Sequence, residues 1–208
     1  MADEVMERLL VELTENARSR YFGKYRGIVK QVDDPDKLGR ITAQVPEIYD
    51  DVESPWALPA VPFAGQDHGF VAIPEEGDGV WIEFEAGDVS RPVWTGCWWG
   101  DGELPDPGAP LTRVFATTAG HKLVLDDDGS EVQLLHSGGA EIKMTDDDIK
   151  VSIGQSEATL ASSGEITIKV GATEIKLTAT ELSLKSGPAQ IKLSAGGVDI
   201  NNGAIKVI

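Results

Sequence analysis

The sequence predicts an all-β protein that begins with one short helix. From about Lys24 onward, short runs of alternating apolar and polar residues recur, and a period of two is that of β-strands. Clusters of Gly, Pro, Asn and Asp separate these runs and favour turns. All 5 Trp lie between Trp56 and Trp99, and Phe115 is the last aromatic residue. We therefore expect two different β-rich parts, of which only the first has aromatic residues in its core.

Composition and charge narrow the classes of function. The hydrophobic content of 41% and the charged content of 25% are typical of a folded, water-soluble domain. A net charge of −17 repels phosphate backbones and anionic membranes, so we expect no nucleic-acid partner. The only cysteine, Cys97, excludes an intramolecular disulfide and a cysteine-based zinc cluster, and we expect it to be buried. A basic leader and a membrane-spanning apolar run are both missing, so we expect the chain to assemble in the cytoplasm.

Residues 1–22 are predicted to contain an amphipathic helix. Val5, Leu9 and Leu13 recur at helical spacing, and acidic residues occupy the opposite face. Two interpretations stay open. The helix either lies on its own domain, or it docks on a partner or a neighbouring copy through Val5, Leu9 and Leu13.

Residues 23–108 are predicted to form a small closed β-barrel of the OB type. Residues 25–29, 40–45, 79–84 and 91–96 alternate in the strand manner, and the Asp-Asp-Pro-Asp run that starts at Asp33 favours a turn. About five short strands suit such a barrel, and closure removes the exposed edges of a small sheet. The proline-rich run that follows cannot pair and marks a boundary.

Residues 109–208 form a repeat of short strands. Units of about five or six residues alternate between apolar and polar, and Ser-Gly, Gly-Gly and Asn-Gly connectors separate them. Each strand then carries Ile, Leu and Val on one face and Lys, Thr, Ser and Glu on the other. The residues that we predict to form the core of this part are Ile142, Ile166, Ile168, Ile175, Leu177, Leu182, Leu184, Ile191 and Leu193.

A single ribbon of these strands would leave its apolar face in water. Neither an aromatic residue nor a predicted helix follows Phe115 to cover that face. Three copies wound about one axis would bring the apolar faces together and would pair each strand edge with the next chain. We therefore predict an intertwined, triple-stranded β-helix, the needle of a homotrimer. A monomeric β-sandwich and a single-chain solenoid are the alternatives.

Nine short stretches of the central segment occur in the order shared by a known family. They are Gly27-Ile28-Val29, Asp33-Asp34-Pro35, Leu38-Gly39-Arg40-Ile41, Val45-Pro46, Ser54-Pro55-Trp56-Ala57, Ala64-Gly65, Ile73-Pro74-Glu75-Glu76-Gly77-Asp78-Gly79-Val80, Phe84-Glu85-Ala86-Gly87-Asp88 and Arg91-Pro92-Val93. In this order, and followed by alternating strands, they resemble the phage baseplate assembly protein V family. That family forms the OB-fold part of contractile-tail spikes and is related to type VI secretion spikes.

The resemblance implies a structural central spike that pierces the target cell envelope and belongs to the baseplate of a virion or injection particle. It implies a collar of OB domains under a hub and a β-helical needle below. The hub domain that is fused to some relatives is missing here, so a separate hub protein is implied. Some relatives bind iron through a terminal histidine pair, but no histidine follows His136. We therefore expect a separate tip protein to dock on Ile205 and Val207.

The sequence lacks the motifs of common active sites. His68, His121 and His136 are scattered, and neither a Gly-x-Ser-x-Gly nor a His-Glu-x-x-His motif occurs. The acidic runs at residues 126–128 and 146–148 lack the ligand spacing of an EF-hand and favour turns. We expect no enzymatic activity, no cofactor and no metal.

Two other functions stay open. The first is an OB-fold carbohydrate- or nucleic-acid-binding protein with a β-rich stalk, in which Trp94, Trp98 and Trp99 would stack on the ligand. The second is a cell-wall hydrolase.

Overall fold

The computed structural model describes residues 2–207, with side chains described for residues 4–15 and 19–205. The fold is all-β apart from an N-terminal helix and two short helical turns, which confirms the predicted class. The chain divides into two compact units, Met1–Leu104 and Pro105–Ile208. We describe each unit by itself.

The first unit contains a helix and a five-stranded sheet. In chain order its elements are α1 (Ala2–Ser19), β1 (Tyr25–Gln31), β2 (Thr42–Gln44), α2 (Pro46–Tyr49), β3 (Leu58–Pro59), β4 (Ala64–Gly65), β5 (His68–Gly69), β6 (Gly79–Phe84), a 3-10 turn (Glu85–Gly87) and β7 (Pro92–Trp98). The sheet order is β2-β1-β6-β7-β3, and β4 pairs only with β5. All pairs are antiparallel except β3 with β7.

The five-stranded sheet closes on itself, as predicted for an OB barrel. The N–H of Ala57 donates to the carbonyl of Ile41 at 2.8 Å, and the N–H of Ile41 donates back at 3.2 Å. These bonds join the segments that lead into β2 and β3, the two ends of the sheet order. The enclosed core consists of Val29, Ile41, Ala43, Val45, Ala57, Val80, Ile82, Phe84 and Trp94.

One buried carboxylate fixes the loop between β1 and β2. Asp34 accepts hydrogen bonds from the backbone N–H groups of Asp36, Leu38 and Arg40 at 3.1, 2.7 and 3.2 Å. The Arg40 guanidinium donates to the same carboxylate at 3.0 and 2.6 Å. This hydrogen bond from Arg40, together with the backbone donors, holds the pKa of Asp34 well below its ordinary value.

The second unit is one twelve-stranded antiparallel sheet. Its strands are β8 (Thr112–Ala116), β9 (Lys122–Asp126), β10 (Glu131–Leu135), β11 (Glu141–Met144), β12 (Asp148–Ile153), β13 (Ser156–Ala161), β14 (Glu165–Val170), β15 (Thr173–Leu177), β16 (Glu181–Ser186), β17 (Ala189–Ser194), β18 (Gly197–Ile200) and β19 (Ile205–Val207). Each strand pairs with the next strand along the chain. Gly171 and Gly187 occupy two of the tight turns with φ of 57° and 55°, a conformation that glycine adopts without strain.

The pairing partners of these strands differ from our expectation. We expected strand edges to pair with neighbouring chains, but within residues 112–207 every strand from β9 to β18 has a partner on both sides in its own chain. The physical reason is that turns of a few residues close the shortest loops, so consecutive strands pair first. What the single chain leaves unsatisfied is therefore its apolar face rather than its hydrogen-bond ladder.

Candidate trimerisation surface

The register of the twelve-stranded sheet aligns apolar side chains in two columns on one face. Residues that pair directly across an antiparallel ladder lie on the same face of the sheet. The strand register therefore shows which residues belong to each column. The first column is Phe115, Leu123, Leu134, Ile142, Val151, Ala158, Ile168, Ile175, Leu184, Ile191, Ile200 and Ile205. The second column begins at Arg113 and continues with Leu125, Val132, Met144, Ile149, Leu160, Ile166, Leu177, Leu182, Leu193 and Val198.

These two columns, which we call the apolar face, are exposed in the single chain. Ile175 is 42% exposed, Leu134 is 54% exposed and Ile205 is 59% exposed. Twelve strands spaced about 4.8 Å apart extend the face over on the order of 50 Å. A continuous apolar surface of this size is far larger than soluble monomers leave in water, so the face marks an association surface.

All nine core residues predicted from the sequence lie on the apolar face. Five of them are in the first column and four in the second. Eight of the nine are exposed in the single chain, and Leu182 is half-buried. The prediction that they form a trimer core stays a prediction, because the structure contains one chain.

The structure adds residues that sequence reasoning missed. The additional members of the apolar face include Leu123, Leu125, Leu134, Met144, Ile149, Val151, Leu160, Val198 and Ile200. Several of them lie in strands beside the acidic runs at residues 126–128 and 146–148, where turn residues interrupt the apolar pattern. The alternation of apolar and polar residues, which extends back to residue 112, is the sequence signal that identifies them.

The opposite face of the sheet is mainly polar, and five of its lysines form ion pairs. Lysines and glutamates on adjacent strands form ion pairs, in which the nitrogen–oxygen distances range from 2.6 to 3.5 Å. The hydrogen bond with Glu165 raises the pKa of Lys176 and lowers that of Glu165. The pairs are Lys143–Glu131, Lys150–Glu157, Lys169–Glu174, Lys176–Glu165 and Lys192–Glu181. This face suits contact with water, so the two faces of the sheet have different environments.

The predicted docking residues of α1 are exposed. Val5, Leu9 and Leu13 have exposed fractions of 58%, 48% and 64%, so none of them packs on the barrel. The end of the helix is joined to the barrel, because the N–H of Tyr21 donates to Gly87 at 2.9 Å and the Arg20 guanidinium donates to Ala86 at 3.1 Å. These three residues therefore do not pack on their own domain in the single chain, and docking through them stays a prediction.

The last strand provides the other predicted docking surface. Within the described residues, β19 pairs with β18 and has no partner on its outer edge. Ile205 is 59% exposed, whereas the side chain of Val207 lies outside the described part of the chain.

The tryptophans do not form the stacking platform that a ligand-binding barrel would need. Trp94 is 5% exposed, and its indole N–H donates to the carbonyl of Gly39 at 3.1 Å. The Arg26 guanidinium lies 5.2 Å from the ring centre of Trp98 and 5.6 Å from that of Trp81. Of the three tryptophans that we considered as stacking residues, Trp99 is the exposed one.

Our prediction for Cys97 is wrong, because its side chain is exposed. It precedes the half-buried Trp98 at the end of β7, where adjacent side chains point to opposite faces of the strand.

His121, His136 and the two acidic runs lie in or beside turns of the twelve-stranded sheet. His121 and His136 are close in space, with ring centres 4.5 Å apart, and their Nδ1 atoms accept the N–H groups of Ser137 and Gly138. Asp126 accepts hydrogen bonds from the hydroxyl of Thr112 on the adjacent strand and from the N–H of Asp128 in the turn that follows. Among the described residues, no group of three or more potential ligands is arranged to hold a metal ion. No helix in that part of the chain has the length and apolarity needed to cross a bilayer.

Two family models match the chain, and each corresponds to one of the structural units. A type VI secretion system/phage-baseplate injector OB domain matches residues 25–99, which contain the closed barrel. A phage baseplate V C-terminal trimerisation domain matches residues 112–206, which contain the twelve-stranded sheet. Curated proteins give no significant match. Self-association as a trimer is therefore assigned to the part of the chain that carries the apolar face.

Proposed function

Since this chain belongs to the baseplate V family of injector proteins, we propose that it is the central spike of a contractile injection machine, such as a phage tail baseplate. The observation that carries this proposal is the apolar face, which is exposed in one chain and lies in a trimerisation domain. In the proposed particle the spike is attached to a hub, and it pierces the target cell envelope when the sheath contracts.

The geometry of the second unit suits a load-bearing needle. Three copies that turn their apolar faces toward one axis would remove both columns from water, while the ion-paired polar faces would remain outside. Each inner strand is already bonded on both sides within its own chain. Extracting one strand then requires breaking two ladders and exposing buried side chains at the same time, so a force is shared along the sheet.

We assign the three segments to three roles. Residues 1–22 dock on the hub through Val5, Leu9 and Leu13, residues 23–108 form the collar, and residues 109–208 form the needle. The unpaired edge of β19 and the exposed Ile205 support docking of a separate tip protein across the three C-termini, with Val207 as a second contact.

The proposed role is mechanical and not enzymatic, and the spike needs no cofactor. The net charge of −17 opposes binding to nucleic acid. A location at the baseplate of a virion or injection particle, after assembly in the host cytoplasm, follows from this role.

Complementation of a particle that lacks the spike tests the proposal. The full chain should restore envelope breach by contracting particles, measured as dye release from target cells. Particles that contain the Ile168→Asp chain should fail, because the needle would not form, whereas the Thr167→Asp chain should support release. Equal release with and without the chain would contradict a piercing role.

A further inference from the structure

An apolar hairpin projects from the barrel of the first unit. Residues 60–74, which we call the apolar hairpin, lie between β3 and β6 and contain the short strands β4 and β5. The packing of His68 against residue 65 requires a glycine there, because a Cβ atom at Gly65 would lie 2.3 Å from the His68 ring. The N–H of Phe70 donates to the carbonyl of Phe63 at 3.1 Å, which holds the two arms together.

The side chains of the apolar hairpin are exposed, although most of them are apolar. Phe63 is 58% exposed, Phe70 is 47% exposed, Val71 is 81% exposed and Ile73 is 41% exposed. None of them belongs to the barrel core. An exposed group of large apolar side chains on a fixed hairpin is typical of an interaction surface.

An open groove lies beside the apolar hairpin. It has a volume of about 880 Å³ and is lined mainly by apolar side chains, including Leu38, Pro59, Phe70 and Ile73. The hairpin and its groove therefore form one apolar surface, which combines a projection with a depression.

The charge distribution restricts what can cover this surface. Residues 1–104 contain 21 Asp or Glu and 9 Lys or Arg, whereas the apolar hairpin carries one formal charge, at Asp67. Two copies of the barrel repel each other over most of their acidic surface. The apolar hairpin is the region where copies can approach without that electrostatic cost.

We propose that the apolar hairpin and its groove form a second interface between copies of this chain, separate from the needle. The inference rests on the trimer, because the trimerisation domain brings three copies of the chain together, and about a dozen residues separate β7 from β8. A tether of that length gives a local concentration in the millimolar range, so even a small apolar contact forms. In a three-fold arrangement the hairpin of each copy meets the groove of the next copy, and the acidic surfaces remain apart.

Thiol accessibility in the full-length trimer tests this interface. The exposed Cys97 is first replaced by Ser, and one thiol is then introduced as V71C or, as a matched control, as V52C. Val52 is a valine of the same unit, is 69% exposed and lies outside the groove lining. We expect V71C to react with maleimide at least tenfold more slowly than V52C.

Three outcomes would overturn the proposal in different ways. Equal maleimide rates for V71C and V52C in a trimer would show that the apolar hairpin is free. Protection of V71C only after the hub protein is added would assign the surface to the hub. A monomeric mass by light scattering would remove the trimer on which both this interface and the proposed spike depend, so the two failures are distinguishable.

Discussion

At the scale of single residues, Asp34 shows how one carboxylate can organise a loop. Its side chain is 4% exposed, and it accepts three backbone N–H groups as well as the Arg40 guanidinium. The loop from residue 34 to residue 40 therefore depends on the charged form of one side chain.

This arrangement predicts a loss of stability of the first unit in acid. The pKa of Asp34 is lower in the folded chain than the value of about 3.9 typical of an unfolded one, so its contribution is complete above that value. The contribution is lost as the pH falls from about 4 toward the folded pKa. Tryptophan fluorescence reports on this unit alone, because all 5 Trp lie within it. We expect its melting temperature to fall between about pH 5 and pH 3.

Asp34→Asn is the matching variant. It should lower the melting temperature at pH 7 by several degrees and should flatten the acid dependence, because the titrating group is gone. Asp36→Asn, at a partner of Arg40 that is 64% exposed, should change little. An Asp34→Asn chain as stable as the natural one at pH 7 would show that the loop does not need the charge.

Two neighbouring residues of β14 test the assignment of the two faces. Ile168 lies on the apolar face, and Thr167 lies on the polar face opposite Lys176. Ile168→Asp would place three unpaired carboxylates in the trimer interior, at a cost of on the order of 3–5 kcal/mol for each buried charge. Soluble trimer should therefore be lost. Thr167→Asp should change the free energy of unfolding by about 0.5 kcal/mol or less. Size-exclusion chromatography with light scattering makes the comparison, and identical behaviour of the two variants would mean that the register is wrong.

At the scale of elements, α1 is a helix whose apolar residues have no cover in the single chain. Its stripe of Val5, Leu9 and Leu13 is exposed, and the barrel closes without it. A helix with these properties contributes little to the stability of the barrel and is available to a partner.

Deletion of residues 2–20 should therefore leave the trimer intact and abolish binding to the hub. The point variant Leu9→Asp should weaken binding at least tenfold, since it places a charge in the apolar stripe. Glu7→Gln, on the opposite side of the helix, serves as its control. Co-purification of the hub with each chain makes the measurement. Dissociation of the trimer on deletion would instead make α1 a clasp between copies.

The strands show what alternation can and cannot predict. The alternation of apolar and polar residues predicted the strands of the second unit and the face on which Ile166 and Ile175 lie. It could do so because the direction of a side chain on a strand is a local property. It did not give the pairing partners, which depend on turn length and on which strand is closest in space. The apolar hairpin at residues 60–74 was not predicted, because its short strands fall below the length at which a pattern is visible.

Side-chain alternation also predicted the apolar face of the second unit, but it identified only some of its residues. The nine predicted core residues lie in strands with clear alternation, whereas Leu123, Met144 and Ile149 were missed beside acidic turns. The contacts of Asp34 could be found only from the structure, since they join a side chain to backbone groups that the sequence does not distinguish.

At the scale of the whole molecule, the two units differ in charge and in exposed apolar surface. The first unit carries most of the acidic excess, and the second unit carries balanced ion pairs on one face and the apolar face on the other. Solubility therefore comes from the barrel, while assembly depends on the sheet. The apolar face of a single chain is shielded from water only when it contacts other copies.

The mass of the purified full-length chain in solution tests this account most directly. Light scattering at micromolar concentration should give about 67 kDa, three times the 22.2 kDa of one chain, and dilution should not reduce it because the buried apolar columns are long. A folded species of about 22 kDa, with the strand content of the twelve-stranded sheet in its circular dichroism spectrum, would contradict it.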